Sequence, residues 1–413
     1  MKKARWIYKI VFLIGSYTIL SANLLQTAIN HAKPYSTIHL SKGIYKGNIF
    51  INKPITIIGK DSKTIITGNK KATVITIKSP DVTLKNLTIT GSGKRRDAFD
   101  SAIKATNSNG LKIEHCTIKN SLYGIYISMS NNCTIKNNHI SSIYEKIPLR
   151  GDGLRFWYSS HNIIKNNIFY KVRDVGLTRS NFNIIENNRF ISGNFGTYIE
   201  FSTNNIIKNN LYKYNSISIM LISAKNVKIV SNKTLGSKGV VGIGMFVKEG
   251  NHLLFKNNII KFNAEGFFID NRNISKDIQR TIIDNDISYN MTAFHFHTIV
   301  SNNIIEHNNI FNNLFVINKD FKRHKDKNNI IEYNYWGNYA GFDKNNDNIG
   351  DTPYVVYQYA DKLWDYNPHI KFFFGSVVMS LANFLCKVAP FTEPIVLLTD
   401  KKPLVKKVSL PKN

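Results

Sequence analysis

The run Cys133-Thr134-Ile135-Lys136-Asn137-Asn138 constrains this chain more than any other feature, because most of the sequence restates it. The pattern returns as IIKNN at 163, IIENN at 184 and IIKNN at 206, then in looser form to residue 334. With Ile135 as the register mark, the equivalents are Leu84, Ile113, Ile164, Ile185, Ile207, Ile229, Phe255, Ile283, Ile305 and Ile331, and the intervals keep returning to 21 or 22 residues. A recurring short period with insertions is the mark of a solenoid.

Within each repeat, short runs such as Gly124 to Ser128 and Thr197 to Phe201 alternate apolar or aromatic residues with ones that face water, the period of a strand. Asn follows at the corners, where it tolerates left-handed backbone and makes local side-chain bonds. Three short strands and three bends fit about 22 residues, and no leucine-rich spacing or helix interrupts them. The chain therefore reads as all-β, a right-handed parallel β-helix with capping segments and a short C-terminal helical tail. Eleven marks at about 4.8 Å each give a rod of about 50 Å. A side chain repeated at every coil is architectural, so the NN pairs are read as corner ladders rather than chemistry.

The ends differ from the middle. Lys2, Lys3 and Arg5 precede an apolar run from Ile7 to Leu20, broken by Lys9, and then Ser21-Ala22; residues 1–22 read as a signal peptide, with an uncleaved anchor as the alternative. Either places the solenoid beyond the cytoplasmic membrane, in the periplasm. Residues 23–75 read as an N-terminal cap and first coils, 76–340 as the regular helix, 341–370 as an Asp/Asn-rich loop module, and 371–413 as an apolar helical tail with a basic end. Insertions at 91–97 and 143–150 are expected to build a binding face. The formal charge of +28 raises the prior for an anionic partner. Its lysines are scattered singly through the turns with no aromatic platform, which argues against nucleic acid. Cys116 and Cys133 fall at different offsets from the mark and are read as reduced and buried; Cys386 is read as packing.

Non-repetitive residues concentrate on the strand before each mark. Asp152, Asp174 and Glu200 could supply the acid and base of a glycoside hydrolase or polysaccharide lyase, given a carboxylate spacing of about 5 to 9 Å. A salt bridge from Asp152 to Arg155 or Arg179 is the competing reading. His295 and His297 alternate on one strand and so share a face, while Met220 and Met245 lie at similar offsets on neighbouring coils. Imidazole with thioether suits copper, against the plainer reading of Met as core filler. Asp343, Asn345, Asp347 and Asp351 follow the early oxygen spacing of a calcium loop, although Asn348 stands where the turn glycine belongs; a capping Asx turn is the alternative.

Three further elements are specific. Arg150-Gly151-Asp152-Gly153-Leu154-Arg155-Phe156-Trp157-Tyr158-Ser159, the stretch from Asn334-Tyr335-Trp336 through Gly350-Asp351 to Pro353-Tyr354, and an apolar segment from Phe372 to Ala389 before Leu398-Thr399-Asp400-Lys401-Lys402-Pro403-Leu404 together resemble the NosD family. Lys401 replaces the first proline of that family's ending. The resemblance implies a non-enzymatic periplasmic β-helix that works with the membrane permease and ATPase of an ABC transporter. Its task would be assembly of the copper–sulfide centre of nitrous oxide reductase, handling copper or a sulfur species, with that enzyme or a copper chaperone as further partner. On this reading Arg155, Trp157, Phe372, Phe373, Phe374, Leu381, Phe384 and Leu385 are docking residues, the helical tail alternatively folding over the last coil. The runner-up is a carbohydrate-active β-helix.

Overall fold

The computed structural model describes residues 9–10, 19–20, 22–144, 146–239, 241–270, 279–297, 301–320, 328–358, 367–373, 376–388 and 395–410. The leader expected over 1–22 falls almost wholly outside them, as does Phe374. Helix α1 (Ala22–His31) sets Leu25 and Ile29 against the open end of the coil stack, both essentially buried. The chain then winds through three parallel sheets of 14, 14 and 12 strands, each strand bonded to its counterpart one coil earlier and one coil later.

The first sheet carries the register row. Ile38, Ile57, Leu84, Ile113, Ile135, Ile164, Ile185, Ile207, Ile229, Phe255, Ile282, Ile305 and Ile331 stack in line. One mark moves: Ile282, not Ile283, sits over Phe255. Two adjacent isoleucines are indistinguishable by composition, and a one-residue shift reverses which side faces the core. In the second sheet Phe169, Phe190 and Tyr212 stack at 5.1 and 4.7 Å. Gly196 makes the last of these fit, because a Cβ there would lie 2.5 Å from the Tyr212 ring.

The repeated NN pair divides its labour. The first residue takes the left-handed turn, as at Asn137, Asn166, Asn187, Asn209 and Asn257, with φ between 55° and 57°. The second points inward. Asn138, Asn167, Asn188, Asn210, Asn232, Asn258, Asn285, Asn308 and Asn334 form an unbroken ladder, each Oδ1 after the first accepting the backbone N–H and side-chain amide of the asparagine one coil before. A shorter ladder runs Asn162, Asn183, Asn205. Cys116 and Cys133 stand at the starts of these two different ladders, their N–H groups donating to Asn138 and Asn162. They are free and buried, and burial pushes both thiols up to about 12.

At the far end Asp400 terminates the long ladder, accepting from Asn334 N and Nδ2 at 3.1 and 3.0 Å and from Trp336 Nε1 at 2.8 Å. Asp400 ends the strand Ile395–Asp400, which pairs antiparallel with Tyr354–Gln358, and Tyr354 stacks on Trp336 at 4.7 Å. This pair of strands therefore closes the coil stack. Helix α2 (Val377–Val388) does not fold over it: Val377, Val378, Leu381, Phe384, Leu385 and Val388 are exposed, and Met379 is buried. No helix among the described residues is long and apolar enough to cross a membrane.

Removing one ladder rung strands a donor on one side and acceptors on the other, each costing about 1 to 3 kcal/mol when buried. Asn210→Ala is therefore expected to destabilise the chain by about 3 kcal/mol, read as a lowered urea midpoint with unchanged far-ultraviolet circular dichroism in buffer.

Candidate functional site

The third sheet is the least repetitive, and its outward row reads Tyr126, Arg155, Gly176, Tyr198, Met220, Phe246, Phe268, His295 and Asn318, one residue per coil. Two polar clusters lie along it, separated by Met220 and the stacked rings of Phe246 and Phe268. Strand alternation presents these residues outward, since their neighbours Leu154, Phe156, Val175 and Leu177 fill the core.

The first cluster centres on Arg173. Its Nε donates to Asp152 Oδ1 and to Asp174 Oδ2, each at 3.0 Å, and its Nη2 donates to Asp152 Oδ1 at 2.7 Å. Sharing one donor nitrogen holds the two carboxylates within about 6 Å of each other. Arg155 adds a longer bond to Asp152 Oδ2 at 3.4 Å and lies over the Trp157 ring. Arg179 is elsewhere, packed on Tyr158. Asp152 is buried. The Asp174 carboxyl also accepts from Phe195 N at 3.1 Å and Asn194 Nδ2 at 3.3 Å. Burial, followed by the neighbouring Asp152 charge, outweighs Arg173 and these bonds and raises Asp174 to about 6. Burial and a hydrogen bond to Glu200 raise Tyr198 well above the usual phenol range.

The two insertions wall this cluster. Arg96 donates to Leu149 O at 2.5 Å, joining loop to loop, and Arg150 Nε donates to Tyr144 O at 3.1 Å. Phe99 packs on Tyr123 and Tyr126 at the same end. Gly151 lets the chain enter, because a Cβ there would lie 2.2 Å from Leu122 O.

Of the three carboxylates read from the sequence, Asp152 and Asp174 come together and Glu200 does not. Glu200 pairs with Thr178, four residues along the strand from Asp174, or about 13 Å. Arg173, the residue that organises the pair, was missed. Its only sequence signal is adjacency to Asp174.

The second cluster holds His295 and His297 on one face, with Asp320 between them. Asp320 Oδ1 lies 3.1 Å from His295 Nε2 and Oδ2 lies 2.6 Å from His297 Nδ1, while His295 Nδ1 bonds Glu265 Oε1 at 2.8 Å. Ligating atoms of His295, His297 and Asp320 all fall within 4.8 Å of one another, a candidate metal-binding triad. Burial pulls the His295 imidazolium down, but its bonds to Asp320 and Glu265 prevail and raise it to about 9. Asp320 was also missed, although the register gives it: His295 pairs with Asn318, which sets Asp320 beside His297.

The copper set read from the sequence is corrected. Met245 pairs with Ile219 on the inner face and is fully buried, whereas Met220 pairs with Phe246 on the outer face. A one-residue difference in offset puts two strand residues on opposite sides. Met220 is also three coils from His295, about 14 Å away. The residues of the calcium set bond within their own loop. Asp343 accepts from Asp347 N and Asn348 N, Asp347 accepts from Ile349 N, and Asp351 accepts from Lys344 N. These are the bonds of an Asx-type cap, and Asp343, Asp347 and Asp351 do not converge as a ligand group among the described residues. The expected docking residues divide. Arg155 and Trp157 are engaged with each other and with Asp152, while Phe373, Leu381, Phe384 and Leu385 are exposed and the side chain of Phe372 lies outside what is described.

A parallel β-helix bearing clustered charges along one sheet is the class defined by this fold and face. The chain belongs to the right-handed beta helix region family, whose model matches residues 38–177, 72–234 and 152–310. No curated protein matches it. Among solved structures it is similar to the alginate lyase AlyF-OU02, with 14% identity over 79% of this chain and 89% of that one and a TM-score of 0.55. It is also similar to a family 28 exopolygalacturonase of Yersinia enterocolitica, at 12% identity over 77% and 79% with a TM-score of 0.52. A mannuronic acid specific polysaccharide family 6 lyase from human gut microbiota follows at 14% over 79% and 89%, TM-score 0.50. At these identities the likeness is one of fold.

The expectation of a non-enzymatic factor for copper–sulfide assembly is overturned by these findings. The three structures compared are enzymes of sugar polymers, and of the two thioethers in the copper set Met245 is buried in the core while Met220 stands three coils from His295.

Because Asp174 binds its proton more tightly folded than unfolded, its contribution to stability is complete below about 4 and is lost as pH rises through about 6. Melting curves of the wild type and Asp174→Asn across pH 4 to 8 are expected to show the wild type losing stability relative to the variant over that interval.

Proposed function

We propose that this chain is a carbohydrate-active β-helix that cleaves a glycosidic bond in an acidic polysaccharide, with the Asp152–Arg173–Asp174 cluster as its centre. The observation that carries the reading is the pair of carboxylates held by one guanidinium, one of them raised to about 6. A carboxyl group whose proton affinity is raised, beside a second carboxyl, is the arrangement that acid-assisted glycoside cleavage requires. Asp174 would give its proton to the leaving glycosidic oxygen. Asp152, hydrogen-bonded to Arg173 and Arg155, would stand as the partner carboxylate, at a spacing nearer that of retaining than of inverting hydrolases.

The acidic substrate follows from charge. Arg155 edges the cluster, and guanidinium groups pair with sugar carboxylates. A net charge of +28 draws a polyanion to the rod. Tyr126, Tyr198, Phe246 and Phe268 lie in line along the same row, where sugar faces could rest. Export through the leader of residues 1–22 fits a polymer met outside the cytoplasm. Within this proposal, the sequence likeness to NosD proteins is one of construction: two of its three elements, Asn334 to Tyr354 and Leu398 to Leu404, are the parts that close the coil stack.

The test is incubation of the chain with polygalacturonate and alginate, following reducing ends and the ultraviolet absorbance of unsaturated products. Reducing ends without that absorbance would show hydrolysis, and both together would show elimination. Asp174→Asn is expected to lower the rate by about a thousandfold. Wild-type turnover should decline as pH rises through about 6, where Asp174 loses its proton. Absence of turnover on every acidic polymer tried, with the chain folded, would sink the reading.

A further inference from the structure

The structure assigns a zinc-type divalent metal site to His295, His297 and Asp320, with Glu265 as the residue that orients His295; this stands apart from the sugar cluster and does not depend on it. The donor set is two imidazoles and one carboxylate, the ligand types of a borderline divalent ion. Thioether and thiolate sulfur are absent from the group, which turns the preference away from the cuprous ion.

Geometry supports occupancy without rebuilding the fold. Zinc bonds of about 2.0 to 2.2 Å set tetrahedral ligands about 3.3 Å apart. The carboxylate of Asp320 already lies 3.1 Å from His295 Nε2, and all three ligating groups fall within 4.8 Å. Rotation of one carboxylate would open the space for an ion. Three protein ligands leave a fourth position for water or an anionic ligand, the pattern of an open site.

The outer contacts are those a metal-binding histidine needs. Glu265 Oε1 lies 2.8 Å from His295 Nδ1, so the ring donates there and Nε2, which faces Asp320, is the nitrogen an ion would take in place of its proton. Glu265 Oε2 is buried and makes no hydrogen bond among the described residues, so this carboxylate is held in place by His295. Phe268 meets His295 edge-on at 4.8 Å and stacks against His297 at 5.7 Å, limiting rotation of both rings. The two histidines come from one coil and Asp320 from the next, so only a chain wound in this register assembles the set.

The experiment is calorimetric titration of zinc into the tag-free, chelator-treated full chain, repeated with cobalt to read the intense visible bands of a four-coordinate ion. One equivalent is expected. His297→Ala should weaken binding at least a hundredfold, and Glu265→Gln about tenfold through loss of the orienting charge. His161→Ala, which removes an exposed histidine stacked on Phe182 elsewhere on the rod, should leave binding unchanged. Far-ultraviolet circular dichroism confirms that each variant is folded. Equal zinc affinity in the wild type and His297→Ala, or no binding at all by folded wild type, would overturn the assignment.

Discussion

Each coil from Asn138 to Asn334 depends on a buried asparagine whose two ends are both spoken for. A turn that folds inward leaves a backbone N–H and carbonyl away from water, and an unpaired buried amide is costly. The ladder from Asn138 to Asn334 solves this at each level with the same side chain, which accepts from the previous coil and donates to a backbone carbonyl. The solution is transferable from coil to coil but has no natural end. That is why Asp400, reached only after the chain leaves the coils and returns, matters: it accepts all that the last rung offers and takes the indole N–H of Trp336 as well.

With two sheets and the corners committed to architecture, chemistry is left to the outward row of the third sheet. Stacking spreads that row into one residue per coil, about 4.8 Å apart. The two charged clusters mark separate places along this line. One is carboxylate and guanidinium, shaped by burial and by the loops joined through Arg96 and Arg150; the other is imidazole and carboxylate, held by Phe268 and Glu265. Their different chemistry follows from the different residues substituted into one repeating frame.

In the elements resembling NosD, Asn334, Trp336, Tyr354, Asp400 and Leu404 close the end of this β-helix, supplying an acceptor, a flat apolar lid and a returning strand. The Arg150 to Ser159 element is similar in kind: Gly151 passes close to the preceding coil, Arg150 ties down the insertion, and Asp152 receives Arg173. An exposed apolar face on α2 remains outside this closure, since the lid is already made by the antiparallel pair.

The sequence by itself determined the solenoid, its parallel strands, the corner role of the NN pairs and the inertness of two cysteines, because a period repeated many times averages out local ambiguity. It also brought Asp152 together with Asp174, and His295 with His297, as candidates, since charges interrupting a monotonous pattern are visible without coordinates. Only the tertiary structure decided which of them meet. Offsets counted from a mark drift by one residue whenever a coil carries an insertion, and in a strand one residue is the difference between core and solvent. That is why Met220 and Met245 separate, Ile282 replaces Ile283, Glu200 falls away, and Arg173 and Asp320 enter from positions whose significance exists only once the coils are stacked.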